Sequence, residues 1–281
     1  MKTLSEQHPV RALCDAFGVS RSGYYAWLIR PPSQRAQTDA RLSEQLAQAH
    51  DASRRTYGSP RLVIVLRRQG HAVSRRRVRR LMRAAGRHGV QRRRFVPQTT
   101  DSHHAQPIAP NRLAEIGPPQ RRDQAWVTDI TYVPTDEGWL YVAGVLDRWS
   151  RRVIGLAMAG HLRTELVSAA LSQARQRRQP VVGCLHHSDR GCQYASDAYR
   201  QLLKTYGLEP SMSRAGNCYD NAVMESFWST LKNELIQRCR FATRSQARQA
   251  IFEYVEVFYN RQRLHSALGY RSPVDFENQN N

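Results

Sequence analysis

In this 281-residue chain, the spacing of apolar residues changes between residues 86 and 122, and this change limits the possible folds more than any other feature. Up to residue 86, apolar side chains recur at the three- and four-residue spacing of helices. After residue 122, runs rich in β-branched and aromatic residues, such as 125–133, predict strands. Between them, a proline-punctuated stretch without sustained period predicts a linker over 87–122. The chain is therefore predicted to join an all-α region, 1–86, to an α/β region.

The α/β region is predicted to span 123–240 and to be followed by a helical tail over 241–281. Its pattern is three consecutive strands and then alternating helices and strands, with strands predicted at 125–133, 139–146, 153–159, 181–185 and near 209–212. Such an order favours a mixed, five-stranded sheet flanked by helices.

Positive charge is concentrated in the helical region. The chain carries 43 Lys and Arg against 23 Asp and Glu, a formal net charge of +20, and no acid lies between Asp51 and Asp101. We expect the arginines of this stretch to contact phosphates, since no acid is near enough in sequence to pair with them. They are Arg54, Arg55, Arg61, Arg67, Arg68, Arg75, Arg76, Arg77, Arg79, Arg80, Arg83, Arg87, Arg92, Arg93 and Arg94.

Two pairs of helices are predicted, one near 10–30 and one near 57–86. Within each pair a glycine-containing turn joins the two helices, an order typical of helix-turn-helix elements. An ordinary helical bundle has the same periodicity and is the alternative. The second pair carries most of the arginines, and we predict DNA contacts for Arg75, Arg76, Arg77, Arg79 and Arg80.

Several protein classes are disfavoured by the sequence. No apolar run approaches the roughly 18 residues of a membrane span, and the first residues lack the apolar core of a secretion signal. The five cysteines are scattered without a Cys-x-x-Cys pair, which argues against a disulfide framework or zinc ribbon. We therefore expect a cytoplasmic, nucleoid-associated protein.

Three carboxylates stand where chemistry is plausible on physical grounds. Asp129 interrupts an apolar strand, Asp189 follows a strand end, and Glu225 lies at the rim of the apolar stripe of a helix over about 221–235. Lys232, seven residues after Glu225, projects from the same helical face. Three carboxylates suit phosphoryl transfer assisted by two Mg²⁺ or Mn²⁺ ions. The alternative is that each acid pairs with an arginine.

Other polar residues are interpreted as structural. Asp147 is expected to form a salt bridge at a strand end beside Arg148, Asp220 to cap a helix, and Glu234 to point away from Glu225. A zinc site at Cys184, His186 and His187 lacks a fourth ligand at suitable spacing. These two histidines and His265 are expected to pack or to form hydrogen bonds.

Three motifs resemble those of insertion-sequence transposases with a retroviral-integrase core. They are Trp-Val-Thr-Asp-Ile-Thr-Tyr at 126–132, His-Ser-Asp-Arg-Gly-Cys-Gln-Tyr at 187–194, and the stretch from Gly216 to Leu235. Thirty-five residues separate Asp189 from Glu225, the spacing of the family's Asp, Asp, thirty-five, Glu pattern. The tail from Tyr259 to Pro273 and the segment 57–86 are also similar. The chain is identified as a member of the IS-three family, of the second-frame (OrfB) type.

This resemblance implies an RNase H-like fold and a DNA transposase. Asp129, Asp189 and Glu225 would bind two divalent metal ions, Lys232 would contact the DNA of the element end, and a freed 3′-hydroxyl would attack a second strand without a covalent enzyme intermediate. Cys192 departs from the serine common in relatives, with an expected effect on loop hydrogen bonding only.

The resemblance also implies partners: double-stranded DNA of element ends and target, further copies of the chain assembled on DNA, and an upstream-frame protein fused by frameshift. Two other functions are weighed against it. One is a non-catalytic DNA-binding regulator or assembly partner of a transposase. The other is a nuclease for RNA–DNA hybrids, which the helix-turn-helix elements disfavour.

Overall fold

The computed structural model describes residues 1–91, 106–214 and 221–280. Five helices form the N-terminal region: α1 (Val10–Phe17), α2 (Arg21–Ile29), α3 (Gln34–Ala52), α4 (Ser59–Arg68) and α5 (Arg75–Ala84). Six more follow: α6 (Thr164–Arg178), α7 (Cys192–Ala195), α8 (Asp197–Thr205), α9 (Ala222–Glu234), α10 (Arg244–Glu253) and α11 (Pro273–Gln279). A π-helical turn, Tyr254–Tyr259, continues α10.

Local sequence accounts for the ends of the N-terminal helices. The hydroxyl groups of Ser20 and Ser74 accept hydrogen bonds from the amides of Gly23 and Arg77, which caps α2 and α5. Gly18 ends α1 in the left-handed conformation, with φ of 64°. The α1–α2 and α4–α5 pairs thus have the helix–turn–helix order that the sequence predicts.

The sheet contains five strands: β1 (Ala125–Thr135), β2 (Gly138–Asp147), β3 (Val153–Ala159), β4 (Cys184–Ser188) and β5 (Leu208–Met212). Their order is β3-β2-β1-β4-β5. The first three strands are antiparallel neighbours, whereas β4 runs parallel to β1 and β5 parallel to β4. The predicted RNase H-like mixed sheet, flanked by helices, is confirmed.

One predicted strand was placed wrongly. The sequence favours a strand over 181–185, but Val181 and Val182 lie exposed in the turn before β4, which begins at Cys184. β4 therefore ends at Ser188, so Asp189 follows it directly. The β-branched residues raised strand propensity locally, but pairing with β1 and β5 set the boundary.

Each face of the sheet has its own core. On one face, Trp126 and Ile154 pack with Leu171 of α6 and Tyr199 of α8. On the other face, the sheet packs against α9 and the C-terminal helices. Side chains of α3, α4 and α5, including Leu46, belong to that same second cluster of buried residues. The basic helical region is thereby fixed against the layer that carries α9.

The described part of the predicted linker follows the sheet surface. Leu113 is buried, and its amide donates to the Ser211 hydroxyl of β5 at 3.2 Å. Arg112 forms an ion pair with Glu209. Residues 92–105, including three of the arginines, lie outside the described residues. None of the helices in the described ranges is long and apolar enough to cross a membrane.

Candidate active site

The register of two parallel strands brings Asp129 and Asp189 to the same edge of the sheet. β1 pairs with β4 only through residues 125–127, with Val127 opposite His187. Each acid stands two residues beyond that last pair, so each follows the point at which the strands separate. The ends of parallel strands that diverge in this way form a crevice that is a common location for binding sites.

The surroundings of Asp129 raise the pKa of its carboxyl group. Desolvation and the negative charge of Asp189 raise its pKa to about 8, and Glu225 adds a smaller contribution of the same sign. The Ile130 amide donates to its Oδ1 at 2.8 Å, which acts in the opposite direction. Within the described residues, neither Asp129 nor Glu225 forms an ion pair. The alternative in which arginines neutralise these two acids is therefore not observed.

Asp189 is oriented by its own loop. Its Oδ1 accepts a hydrogen bond from the Gly191 amide at 3.0 Å. The neighbouring Arg190 donates instead to the carbonyl oxygen of Ser213 at 2.7 Å. These two contacts fix the turn that follows β4 and place the Asp189 carboxylate beside Asp129.

Glu225 and Lys232 approach the same crevice from α9. Glu225 is half-buried, and burial raises its pKa. Burial lowers the pKa of Lys232, while the charge of Asp129 acts in the opposite direction. The Lys232 ammonium lies 5.9 Å from the centre of the Tyr132 ring on β1. The structure thus brings Asp189, Glu225 and Lys232 each into electrostatic range of Asp129.

Close packing of α9 against β1 and β2 makes this possible. Gly144 pairs with Asp129 across the strands, and a Cβ atom there would lie 2.6 Å from Met224 Cε and 3.0 Å from the Trp228 ring. The absent side chain therefore lets α9 settle directly onto the sheet. At the helix start, the side-chain Nδ2 of Asn221 donates to the Thr128 carbonyl oxygen at 3.0 Å.

Trp228 is a site residue that the sequence analysis missed. It lies in the apolar stripe of α9 and is buried. Its indole N–H, however, faces the Asp129 carboxylate closely enough to lower the pKa of that acid. The same N–H makes no hydrogen bond of full geometry within the described residues. The sequence does contain a sign of this role: the indole N–H is a polar group inside an apolar stripe, three residues after Glu225.

Asp147, which the sequence analysis interprets as structural, has a structural role. Asp147 does not form the predicted salt bridge with Arg148, which instead donates to the Gly117 carbonyl oxygen. Asp147 is fully buried, and it accepts hydrogen bonds from the amides of Asp123 and Ser150 and from the Ser150 hydroxyl. Neutral donors from the turn after β2 and from the segment before β1 satisfy this carboxylate, so no cation is required. Asp220 lies outside the described residues.

Glu234 points away from the acid crevice, as predicted. It is buried and forms a bidentate ion pair with Arg263, with N–O distances of 2.6 and 2.8 Å. It also accepts a hydrogen bond from the Tyr254 hydroxyl at 2.7 Å. Arg61 of α4 lies 3.9 Å away. Glu234 therefore joins α9 to the C-terminal tail and to the basic helices.

The histidines pack as predicted. The Tyr199 hydroxyl lies 3.2 Å from His186 Nε2, and both ring nitrogens of His187 meet serine hydroxyl groups at 2.9 and 3.0 Å. The His265 ring stacks edge-on against Tyr259. In the described ranges, no three His, Cys, Asp or Glu side chains lie close enough to form a ready-made metal site.

The expectation that the arginines cannot pair is wrong for several of them. Arg77 and Arg80 of α5 both bind the Asp39 carboxylate of α3, at 2.8 and 2.5 Å. Arg55 and Arg87 bind Asp51. Chain folding brings these acids from outside the basic stretch or from its edge. The DNA contacts predicted for Arg77 and Arg80 therefore compete with internal ion pairs.

Other arginines of α5 are not engaged in ion pairs within the described part of the chain. Four arginines there are exposed and have no partner among the described residues: Arg75, Arg76, Arg79 and Arg83. Arg76, Arg79 and Arg83 are spaced three and four residues apart, so they share one face of the helix, turned away from the buried Val78, Leu81 and Met82. That face is the candidate DNA-contact surface of the helical region.

Comparison with known families agrees with both parts of the chain. Two models described as integrase core domain match residues 119–218 and 206–273, and an HTH-like domain model matches residues 37–95. The last match covers most of α3 and all of α4 and α5, so the basic helices belong to an HTH-like domain.

Curated relatives align with nearly the whole chain. The insertion element IS600 31 kDa protein of Shigella sonnei is 47% identical over 264 residues, covering 94% of this chain and 97% of the relative. The transposase InsF for insertion sequence IS3A of Escherichia coli is 40% identical over 273 residues, covering 96% and 94%. Among solved structures, a simian T-cell lymphotropic virus intasome matches with a TM-score of 0.49 and 12% identity, covering 83% of this chain and 74% of that one. From the sequence relatives and the matched domains, the chain belongs to the IS3 family of insertion-sequence transposases, enzymes that join DNA through an integrase core.

Proposed function

We propose that Asp129, Asp189 and Glu225 bind divalent metal, Mg²⁺ or Mn²⁺, and that the transposase cleaves element ends and transfers strands at this site. The observation that carries the proposal is the convergence of three carboxylates from β1, the end of β4 and α9. Desolvation and the negative charge of Asp189 raise the pKa of Asp129 to about 8, and a bound cation would favour the ionised carboxylate.

The donor set fits such an ion. Hard carboxylate oxygens are the ligands that Mg²⁺ and Mn²⁺ prefer. Asp189 raises the pKa of Asp129 more than Glu225 does, so Asp129 and Asp189 form the nearer pair. Glu225 is then the ligand that would move towards the metal on binding. Bound divalent metal would activate the attacking oxygen and stabilise the leaving oxygen, and two ions are the usual number for in-line displacement.

The chemistry requires no other co-reactant. In the first step, a water oxygen forms a bond to phosphorus at the element end while the bond from phosphorus to the 3′-oxygen breaks, which leaves a 3′-hydroxyl. In the second step, that hydroxyl attacks a target phosphodiester and displaces the target's own 3′-oxygen. Lys232, held beside Asp129, is the side chain proposed to bind a DNA phosphate next to the reacting bond.

The wider assembly is part of the proposal. The exposed arginines on α5 would bind duplex DNA through its phosphates. Joining two element ends requires two active sites in one complex, so we propose that copies of the chain assemble on DNA. A fusion with an upstream-frame protein would add to end recognition.

The test measures metal binding and DNA joining separately. Titration with Mn²⁺, followed by electron paramagnetic resonance, is compared for the wild type and for the Asp129→Asn, Asp189→Asn and Glu225→Gln variants. We expect each variant to lose Mn²⁺ affinity and to lose joining of a plasmid that carries both ends of the encoding DNA element. Duplex binding should stay within about twofold, because α5 supplies it.

Asp136→Asn is the matched control, since Asp136 is an exposed carboxylate on the β1–β2 hairpin that pairs with Arg240. It should bind Mn²⁺ and join DNA like the wild type. Equal Mn²⁺ binding by the wild type and the Asp129→Asn variant would overturn the proposed site.

A further inference from the structure

An exposed aromatic pair lies on the β1–β2 hairpin beside the acid crevice. Tyr132 and Trp139 are 45% and 51% exposed, although most large apolar side chains of the sheet are buried. Their ring centres are 5.6 Å apart in an edge-to-face arrangement, and the Tyr141 ring lies 6.3 Å from Tyr132. Exposed aromatic surface of this kind typically marks a binding surface.

The pair belongs to the same neighbourhood as the acids. Tyr132 follows Asp129 by three residues on β1, in the part of the strand beyond its pairing with β4. Lys232 links the two features, since its ammonium faces the Tyr132 ring and also interacts with the charge of Asp129. Lys232 thus reaches both the Tyr132 ring and the electrostatic range of Asp129, which places the rings at the border of the crevice.

Cations border the rings on a second side. Arg244 Nε donates to the Trp139 carbonyl oxygen at 3.1 Å, and the Arg244 guanidinium lies against Gly138 at the hairpin turn. Aromatic faces combined with neighbouring cations are the features with which proteins hold single-stranded nucleic acid, since every base has a face that can stack. An apolar protein segment would gain nothing from these cations.

We propose that Tyr132 and Trp139 form a stacking platform for an unpaired base of the DNA strand whose end is held at the acid crevice. The platform deepens the proposed function and rests on it, because the strand end is located by the metal-binding acids. A base inside intact duplex has no free face, so the platform selects a frayed or overhanging end.

The test compares two DNA probes that differ only at the end. One is a duplex with a 3′ overhang carrying 2-aminopurine and a 3′-deoxy terminus that cannot be joined, and the other is the blunt duplex. Stacking should quench 2-aminopurine in the wild type, with overhang affinity about tenfold above that for the blunt probe, within the range measured for one stacked base.

Variants separate stacking from other effects. Trp139→Ala and Tyr132→Ala should each lose about tenfold in affinity for the overhang probe and retain blunt-duplex affinity. Trp139→Phe should retain most of the preference, because it keeps an aromatic face. Phe252→Ala is the control, since Phe252 is equally exposed, at 54%, on α10.

The outcomes distinguish this platform from the metal site. Unchanged overhang affinity in Trp139→Ala, or equal losses on both probes, would overturn the platform even if Mn²⁺ binding depends on Asp129. Overhang preference without Asp129-dependent Mn²⁺ binding would overturn the metal site and support the platform. Loss of self-association in Trp139→Ala, with DNA affinity intact, would show that the rings contact a second copy instead.

Discussion

At the scale of single residues, the acid crevice depends on what surrounds Asp129. The carboxylate lies opposite Gly144, beside Asp189 and under the Trp228 indole, and it receives one backbone hydrogen bond. A carboxylate held in this way is oriented by its surroundings, but ionising it where it is desolvated lowers stability. Two predictions follow from that balance.

The first concerns pH. Because the pKa of Asp129 is raised to about 8, the folded metal-free protein holds a proton that the unfolded chain releases near pH 4. Stability should therefore fall as pH rises through this window, by up to about 1.4 kcal/mol per pH unit. Asp129→Asn removes the loss, so its melting temperature should exceed that of the wild type, by more at pH 8 than at pH 6.

Scanning calorimetry in EDTA measures the difference, and Asp136→Asn reports the effect of removing a carboxylate outside the crevice. Parallel pH profiles for the wild type and Asp129→Asn would contradict the prediction. Added Mn²⁺ should raise the melting temperature of the wild type and of Asp136→Asn but not that of Asp129→Asn, since a ligand stabilises only a protein that binds it.

The second residue-scale prediction concerns Trp228. Trp228→Phe keeps an aromatic ring but removes the N–H that faces Asp129, so the carboxylate loses a partner that orients it. Loss of such an outer contact typically weakens metal binding by about 10- to 100-fold. Titration with Mn²⁺ should show this decrease.

Trp149→Phe is the control for replacing an indole ring, because Trp149 packs against Phe276, away from the crevice. Both variants should unfold at similar denaturant concentrations. Weaker Mn²⁺ binding in both variants would mean that general destabilisation, rather than the lost N–H, is responsible.

At the scale of elements, α5 divides its arginines between two tasks. Arg77 and Arg80 bind Asp39 and so attach α5 to α3, and this pairing lowers the pKa of Asp39. Among the residues that the structure describes, the exposed Arg79 has no such partner. A helix whose orientation is fixed by one set of cations can present another set to DNA.

This division predicts different phenotypes for neighbouring arginines. Arg79→Ala should weaken duplex binding and reduce the slope of log affinity against log salt by about 0.9, the value for one phosphate contact. Arg77→Ala should mainly lower thermal stability. Fluorescence anisotropy at several salt concentrations measures the slopes, and equal slopes for Arg79→Ala and the wild type would exclude Arg79 as a phosphate contact.

At the scale of the whole molecule, one buried ion pair joins the three parts of the chain. Glu234 of α9 binds Arg263 of the tail, and Arg61 of α4 approaches the same carboxylate. Tyr57 reinforces the junction, because its hydroxyl accepts a hydrogen bond from the Leu264 amide at 2.7 Å. The basic helices are thereby attached to the helix that bears Glu225 and Lys232.

Removing one partner of this pair should be costly. Glu234→Gln leaves the Arg263 charge buried without compensation, with an expected loss of about 3–5 kcal/mol in the free energy of unfolding. The Arg263 guanidinium lowers the pKa of Glu234, although burial opposes it. The pair therefore stabilises the fold above about pH 4.5, and this contribution is lost as pH falls through the lowered pKa.

Urea unfolding at pH 7 and at lower pH measures both effects, and the difference between variant and wild type should shrink below pH 4.5. Glu253→Gln is the control, since Glu253 forms an exposed pair with Arg54. Such a surface pair contributes about 0–1 kcal/mol, so a similar loss in both variants would contradict a special role for Glu234.

Much of the fold was predictable from local pattern. Helix periodicity, serine caps and β-branched runs gave the sheet, the two helical pairs and the long helix α9, because these depend on residues close in sequence. The acids Asp129, Asp189 and Glu225 stood out because a carboxylate in an apolar setting needs a physical reason. The domain boundaries and the catalytic roles remain predictions.

The tertiary structure decided which groups meet. The start of β4, the pairing of Arg77 and Arg80 with Asp39, and the indole of Trp228 beside Asp129 all depend on partners distant in sequence. Gly144 illustrates the reason: its missing side chain matters only because α9, some eighty residues later, packs onto it. The sequence alone determined the elements and the candidate acids, while packing between distant segments determined their partners, because hydrophobic period encodes a buried face but not what covers it.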